Sequence, residues 1–111
     1  MFIKEEIAER ENVFSDVCKA HNVKYIYAFG SAISNRFDKS KSDIDLLVEI
    51  EDSDPIERGD KLMSLWDIFE DFFQRKVDLL TEKSINNPFL RQSIDSSKIL
   101  IYDGSKQKIL V

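Results

Sequence analysis

The sequence predicts an α/β (α+β) domain, a small mixed β-sheet flanked by helices. Three observations point there. Apolar residues return every three to four positions across residues 3–20 and 54–74, the period of a helix with one buried face. Short β-branched and aromatic runs occupy 23–29, 43–50, 76–81 and 99–102, as strands do. The two patterns alternate along the chain, which packs helices against a sheet.

Each element has a local reason. Ile3, Ile7, Phe14, Val17, Cys18 and His21 share one helical face, so residues 3–20 are expected as a single amphipathic helix. Asn22 is its stop, because Asn tolerates the left-handed conformation. Residues 23–29 follow as a strand, broken by Gly30-Ser31. In 43–50, Ile44, Leu46, Val48 and Ile50 line one face, and Asp43, Asp45, Leu47 and Glu49 the other. Asp54-Pro55-Ile56-Glu57 starts a helix: a cap acceptor, Pro at the first helical position, and Glu three past the cap. Leu62, Leu65, Trp66, Phe69, Phe72 and Phe73 carry it to about Gln74. Asn87-Pro88 opens a further helix bearing Phe89, Leu90 and Ile94, and the 99–102 strand closes at the Asp103-Gly104 turn. Lys98, Lys106 and Lys108 are expected to keep a frayed C-terminus soluble.

The whole chain, residues 1–111, is expected as one domain. Hydrophobic residues at 42% and charged residues at 33% fit a folded globule rather than a disordered chain. The net charge of −5 makes direct nucleic-acid binding through a basic face an unfavoured expectation, since that needs a Lys/Arg excess. One cysteine, Cys18, excludes an internal disulfide and suits a reducing cytoplasm. No apolar run reaches the ~20 residues of a membrane helix, and the acidic start at Glu5-Glu6 does not resemble a signal peptide.

The chemistry lies in three aspartates. Strands are poor in Asp, whose short side chain competes for the backbone, yet Asp43 and Asp45 share one strand and Asp78 sits on another. Residues two apart on a strand point the same way, roughly 6–7 Å apart, a spacing from which carboxylates can serve one hard cation. With Asp78 on a neighbouring strand, three carboxylates converge, and their mutual repulsion calls for a metal. The plainer reading is that Asp43 and Asp45 are solvent-side residues of an edge strand, although Leu47 shares their face. Gly30 permits a tight turn and close backbone approach, and Ser31 can cap that turn with backbone N–H groups left toward a phosphate; alone, the pair reads as an ordinary turn. No G-x-x-x-x-G-K-[ST] loop is present.

Tyr27-Ala28-Phe29-Gly30-Ser31, a polar spacer, then Ser42-Asp43-Ile44-Asp45-Leu46-Leu47-Val48 resembles the DNA polymerase β-like nucleotidyltransferase superfamily. Within it the likeness is to the minimal nucleotidyltransferases, the group that includes MntA-type antitoxins. Val77-Asp78-Leu79 resembles that group's third carboxylate. The spacer, residues 32–42, is one residue longer than is common there, and Arg36 falls later in it. The resemblance implies a polymerase β-like fold and Mg²⁺-dependent transfer of a nucleoside monophosphate, AMP from ATP, with release of pyrophosphate. It implies Asp43, Asp45 and Asp78 as catalytic residues and ligands of one or two Mg²⁺ ions, and Gly30 and Ser31 as the nucleotide-binding turn. It also implies a HEPN-type helical toxin as partner and acceptor; the alternative is a catalytically weak module that acts by binding. Arg36, Lys39 and Lys41 are within reach of phosphates or simply solvated. His21 suits a helix C-terminus, Cys18 a buried apolar site, and the aromatics of residues 66–89 a core with a possible second use as a dimer or partner surface.

Overall fold

Residues 3–20 do not form one helix. In the computed structural model, which describes residues 1–33 and 42–110, they form α1 (Phe2–Glu9) and α2 (Glu11–Ala20) with a break at Arg10 (φ −137°, ψ 49°). On an unbroken helix Arg10 and Glu11 would fall in the buried stripe between Ile7 and Phe14, where a charge has no place. At the break, the Arg10 guanidinium donates to the Phe72 carbonyl and lies 4.0 Å from the Phe72 ring centroid. That carbonyl is one of the orphan acceptors at the end of the long helix Pro55–Phe73. Asn22 takes the left-handed conformation expected of it, at φ 53°. His21 closes α2, with Nδ1 2.8 Å from the Val17 carbonyl and Nε2 2.9 Å from Ser64 Oγ.

The chain continues as β1 (Val23–Phe29), a 3-10 turn (Gly30–Ile33), β2 (Ile44–Ile50), α3 (Pro55–Phe73), β3 (Val77–Leu80), a second 3-10 turn (Glu82–Ser84), α4 (Pro88–Ser97), β4 (Ile99–Asp103) and β5 (Lys108–Ile109). The N-cap residues of α3 and α4 are those the sequence predicts, but the Asp54 N–H donates to Asp52 Oδ1 at 3.0 Å and not to Glu57. Asp54 accepts from the Ile56 N–H, Gln74 ends α3 left-handed at φ 53°, and Asn87 accepts from the Phe89 and Leu90 N–H groups. Asp43 precedes β2 rather than starting it. Lys106 and Lys108 are not on a frayed tail: Lys108 opens β5, paired with Asp103 on β4. Lys98 instead ends α4, where it pairs with Asp95 at 3.2 Å and lies 4.6 Å from the Tyr27 ring centroid.

The strands form one mixed sheet in the order β3-β2-β1-β4-β5. Only β2 and β3 are parallel, joined through α3. The other neighbours are antiparallel. One face carries the main core. Ile3, Ile7, Phe14 and Cys18 from α1 and α2, and Leu65, Phe69, Phe72 and Phe73 from α3, pack on Ile26, Ala28, Leu46, Val48 and Leu79. Phe14 stacks on Phe69 with ring centroids 5.4 Å apart. Each such large apolar side chain contributes roughly 1.5–3 kcal/mol on burial. The other face is covered by α4 and the second turn, through Ile94 and Ile85 on Phe29 and Leu47. On α4 only Ile94 is buried, whereas Phe89 is 81% exposed. Among the described residues no helix is long and apolar enough to cross a membrane.

Candidate functional site

The site forms where β2 and β3 begin side by side. The parallel register places Ile44 opposite Val77 and Asp45 opposite Asp78. Ile44 and Val77 are fully buried in the core, and the side-chain period of two then turns both aspartates to the opposite face. The apolar pattern of the two strands therefore sets the face both carboxylates take, and the parallel register sets them side by side. They share a hydrogen bond, and burial, the Asp78 charge and that bond push the Asp45 carboxyl up to about 6, with Asp43 adding to the shift. Like charges opposite one another on paired strands are destabilising, so Asp45 keeps its proton to higher pH than an ordinary carboxylate does.

Gly30 belongs to the same site. It follows β1, whose Phe29 is opposite Asp45, and turns the chain with φ +63°. A Cβ built there falls 2.5 Å from Asp45 Oδ2. Glycine is required both by the left-handed backbone and by the carboxylate that lies against it. The Gly-Ser motif and the Asp-x-Asp motif are thus one contact. Ser31 has a role the sequence did not show: its hydroxyl donates to the Asp43 carbonyl at 3.2 Å and ties the two ends of the spacer together.

The three predicted carboxylates are not equally placed. Asp45 and Asp78 are in direct contact, while Asp43, one residue before β2, acts on Asp45 through its charge. Among the described residues no group of three or more His, Cys, Asp and Glu side chains is gathered closely enough to hold a metal ion. The donors that are gathered suit a hard divalent cation: all are oxygen, and two carboxylates in contact are relieved by positive charge. Arg36, Lys39 and Lys41 lie outside the described residues.

Several neighbours of the site gave no sequence signal. Arg75 reaches the Ser42 carbonyl with Nη1 at 3.5 Å and sets its guanidinium 4.4 Å from the Phe2 ring centroid. Trp66 Nε1 donates to the Val77 carbonyl at 2.7 Å, and Glu70 Oε2 accepts from the Val77 N–H at 3.0 Å. Trp66 reads as core in the sequence; it is half-buried and packs against the core with its N–H on β3. The only trace of the Val77 bracket in the sequence is the four-residue spacing of Trp66 and Glu70 on one helix face.

Comparison with known proteins bears on the family and the fold. The family described as "Polymerase beta, Nucleotidyltransferase" matches residues 12–107. Two proteins of Methanocaldococcus jannaschii, each named "Putative protein adenylyltransferase", are similar in sequence. One is 32% identical over 99 residues, covering 89% of this chain and 94% of that protein. The other is 38% identical over 81 residues, covering 73% and 79%. In fold, the chain is similar to a toxin–antitoxin crystal structure with AMP-PNP (TM-score 0.59, 22% identity, 85% of this chain and 73% of that one). It is also similar to a structure described as a "putative minimal nucleotidyltransferase" (TM-score 0.55, 24% identity, 86% and 92%). The likeness covers nearly the whole chain, and the protein belongs to the polymerase beta nucleotidyltransferase family.

Proposed function

We propose that this protein is a Mg²⁺-dependent adenylyltransferase that moves AMP from ATP to a hydroxyl of a partner protein, releasing pyrophosphate. We further propose that it serves, in the cytoplasm, as the antitoxin of a pair whose toxin is a helical HEPN-type protein. The observation that carries the reading is the contact of Asp45 with Asp78 across β2 and β3, with Gly30 against Asp45. The names of the relatives support adenylyl transfer to protein, and the toxin–antitoxin neighbours support the pairing.

Asp45 and Asp78, with Asp43 one residue before β2, would hold the metal. When bound, Mg²⁺ offsets the negative charge that develops on the phosphate oxygens during transfer. Gly30, with no side chain, leaves room for the Asp45 carboxylate at the turn, and Ser31 fixes that turn to the Asp43 carbonyl. The acceptor oxygen forms a bond to the α-phosphorus as the α–β phosphoanhydride bond breaks. The acceptor's proton passes to a carboxylate oxygen of Asp78, the group the third strand brings beside Asp45. The −5 charge of the chain is no obstacle, since the metal supplies the positive charge that ATP requires.

The test uses purified protein, Mg²⁺ and host lysate, with ATP labelled on the α- or the γ-phosphate in parallel. Label transferred from the α-position alone, and lost in the Asp43→Asn/Asp45→Asn protein, is the expected result. Absence of transfer from either position, by a folded protein that still captures a specific partner, refutes the catalytic reading in favour of a binding module.

A further inference from the structure

β3 is an edge strand, and it carries one of the two carboxylates in contact. Two charges placed opposite one another push their strands apart, so something must keep β3 in register. Burial of Val77 and Leu79 supplies part of that force. Among the described residues the sheet has no strand on the far side of β3. In a parallel ladder alternate residues direct their N–H and C=O to opposite sides. The Ile44 N–H takes the Lys76 carbonyl at 3.1 Å, which sends both backbone groups of Val77 outward. There, two side chains of α3 take the place of a neighbouring strand. Trp66 Nε1–H donates to the Val77 carbonyl at 2.7 Å, and Glu70 Oε2 accepts from the Val77 N–H at 3.0 Å. They lie one helical turn apart, so a single face of α3 grips both edge groups of the residue next to Asp78.

We propose that Trp66 and Glu70 are positioning residues for Asp78: their bracket on Val77 holds β3 in the register that sets the Asp78 carboxylate beside Asp45. The assignment rests on the proposed metal site for its functional meaning and on backbone geometry for its structural one. Neither side chain touches substrate. Loss of the bracket lets β3 drift from β2 and separates the two carboxylates, and a hard cation then loses a ligand. Removal of groups that orient metal ligands costs about 10-fold or more in metal affinity.

The test takes Mn²⁺ as a spectroscopic stand-in for Mg²⁺ and reads its affinity by electron paramagnetic resonance, with amide hydrogen exchange at Asp78 and Leu79 as an activity-free readout. Trp66→Phe keeps the ring and loses the donor. Glu70→Leu loses the acceptor, whereas Glu70→Gln keeps one. Asn87→Ala, which weakens a helix cap away from the site, controls for a general loss of stability. The expected result is about a 10-fold weaker Mn²⁺ affinity and faster exchange at Asp78 in Trp66→Phe and Glu70→Leu, with Glu70→Gln and Asn87→Ala close to the starting protein. Unchanged exchange at Asp78 in both disruptive variants overturns the assignment, as does an equal change in Asn87→Ala. If the starting protein binds no Mn²⁺ that Asp45→Asn abolishes, the metal reading fails by itself, and the exchange comparison still decides the positioning.

Discussion

Gly30→Ala is the substitution in which backbone and site chemistry are least separable. An alanine at φ +63° carries the left-handed penalty of an L-residue, roughly 1–2 kcal/mol. Its Cβ would arrive 2.5 Å from Asp45 Oδ2, well inside contact distance. The carboxylate has to rotate off its rotamer, at about 0.5–1.5 kcal/mol, and its hydrogen bond to Asp78 is strained in the process. The sum is about 2–3 kcal/mol, which for a chain of this size lowers the melting temperature by about 8–12 °C. Thermal unfolding followed by circular dichroism at pH 7 reads the stability, and Mn²⁺ binding reads the site. Gly59→Ala is the internal control. A Cβ there meets nothing within 4 Å and the residue lies inside α3, so alanine should stabilise by up to ~1 kcal/mol through helix propensity. A Gly30→Ala protein as stable as its parent, with undiminished Mn²⁺ affinity, would refute both the strain and the contact between the two motifs.

Stability should also depend on pH through Asp45. Its folded pKa, raised to about 6 from 3.8, means that the folded state holds a proton which the unfolded state has already released. The stability this contributes is full below about pH 4 and lost as pH rises through 6, by ~1–2 kcal/mol once solvent screening is allowed for. Metal-free urea unfolding at pH 4.5 and 7, compared with Asp45→Asn, should show that difference in slope. Mg²⁺ at pH 7 should restore the loss in the parent protein only; matching slopes would exclude the shift. Arg10→Ala should cost about 2 kcal/mol, because it removes a charged donor from the Phe72 carbonyl and a cation from the Phe72 ring. Arg10→Lys should not recover it in chemical denaturation, since a compact ammonium cannot lie flat on the ring while donating. Asn87→Ala should cost about 1 kcal/mol and speed amide exchange selectively in the first turn of α4, whose Phe89 and Leu90 N–H groups lose their acceptor; uniform protection across that turn would count against the cap.

The helices and strands that carry strong local chemistry were legible in advance. Asp54-Pro55 and Asn87-Pro88 mark helix starts because cap and proline act within one turn, and Asn22 marks a stop for an equally local reason. The break at Arg10 was not legible. It depends on a carbonyl and a ring of Phe72, sixty-two residues away in the chain, and periodicity alone reads straight through it. The pairing of β5 escaped notice because two residues, Lys108 and Ile109, are too few to carry a strand pattern and gain their place only from β4.

The candidate site divides along the same line. Sequence alone singled out the candidate residues: Asp45 and Asp78 stand in strands, which disfavour aspartate, Asp43 one residue before β2, and Gly30 where a turn needs a positive φ. Their alternation with Ile44, Leu46 and Val77 also determined which face each carboxylate takes, since burying one side of a strand exposes the other. Tertiary structure alone decided that Asp45 meets Asp78 while Asp43 stands apart, and that Gly30 lies against the first of these. It also decided that Trp66 and Glu70 hold the edge of β3. Those are distances across strands and between layers. They follow from register and packing, which no run of residues encodes until the sheet has closed around its core.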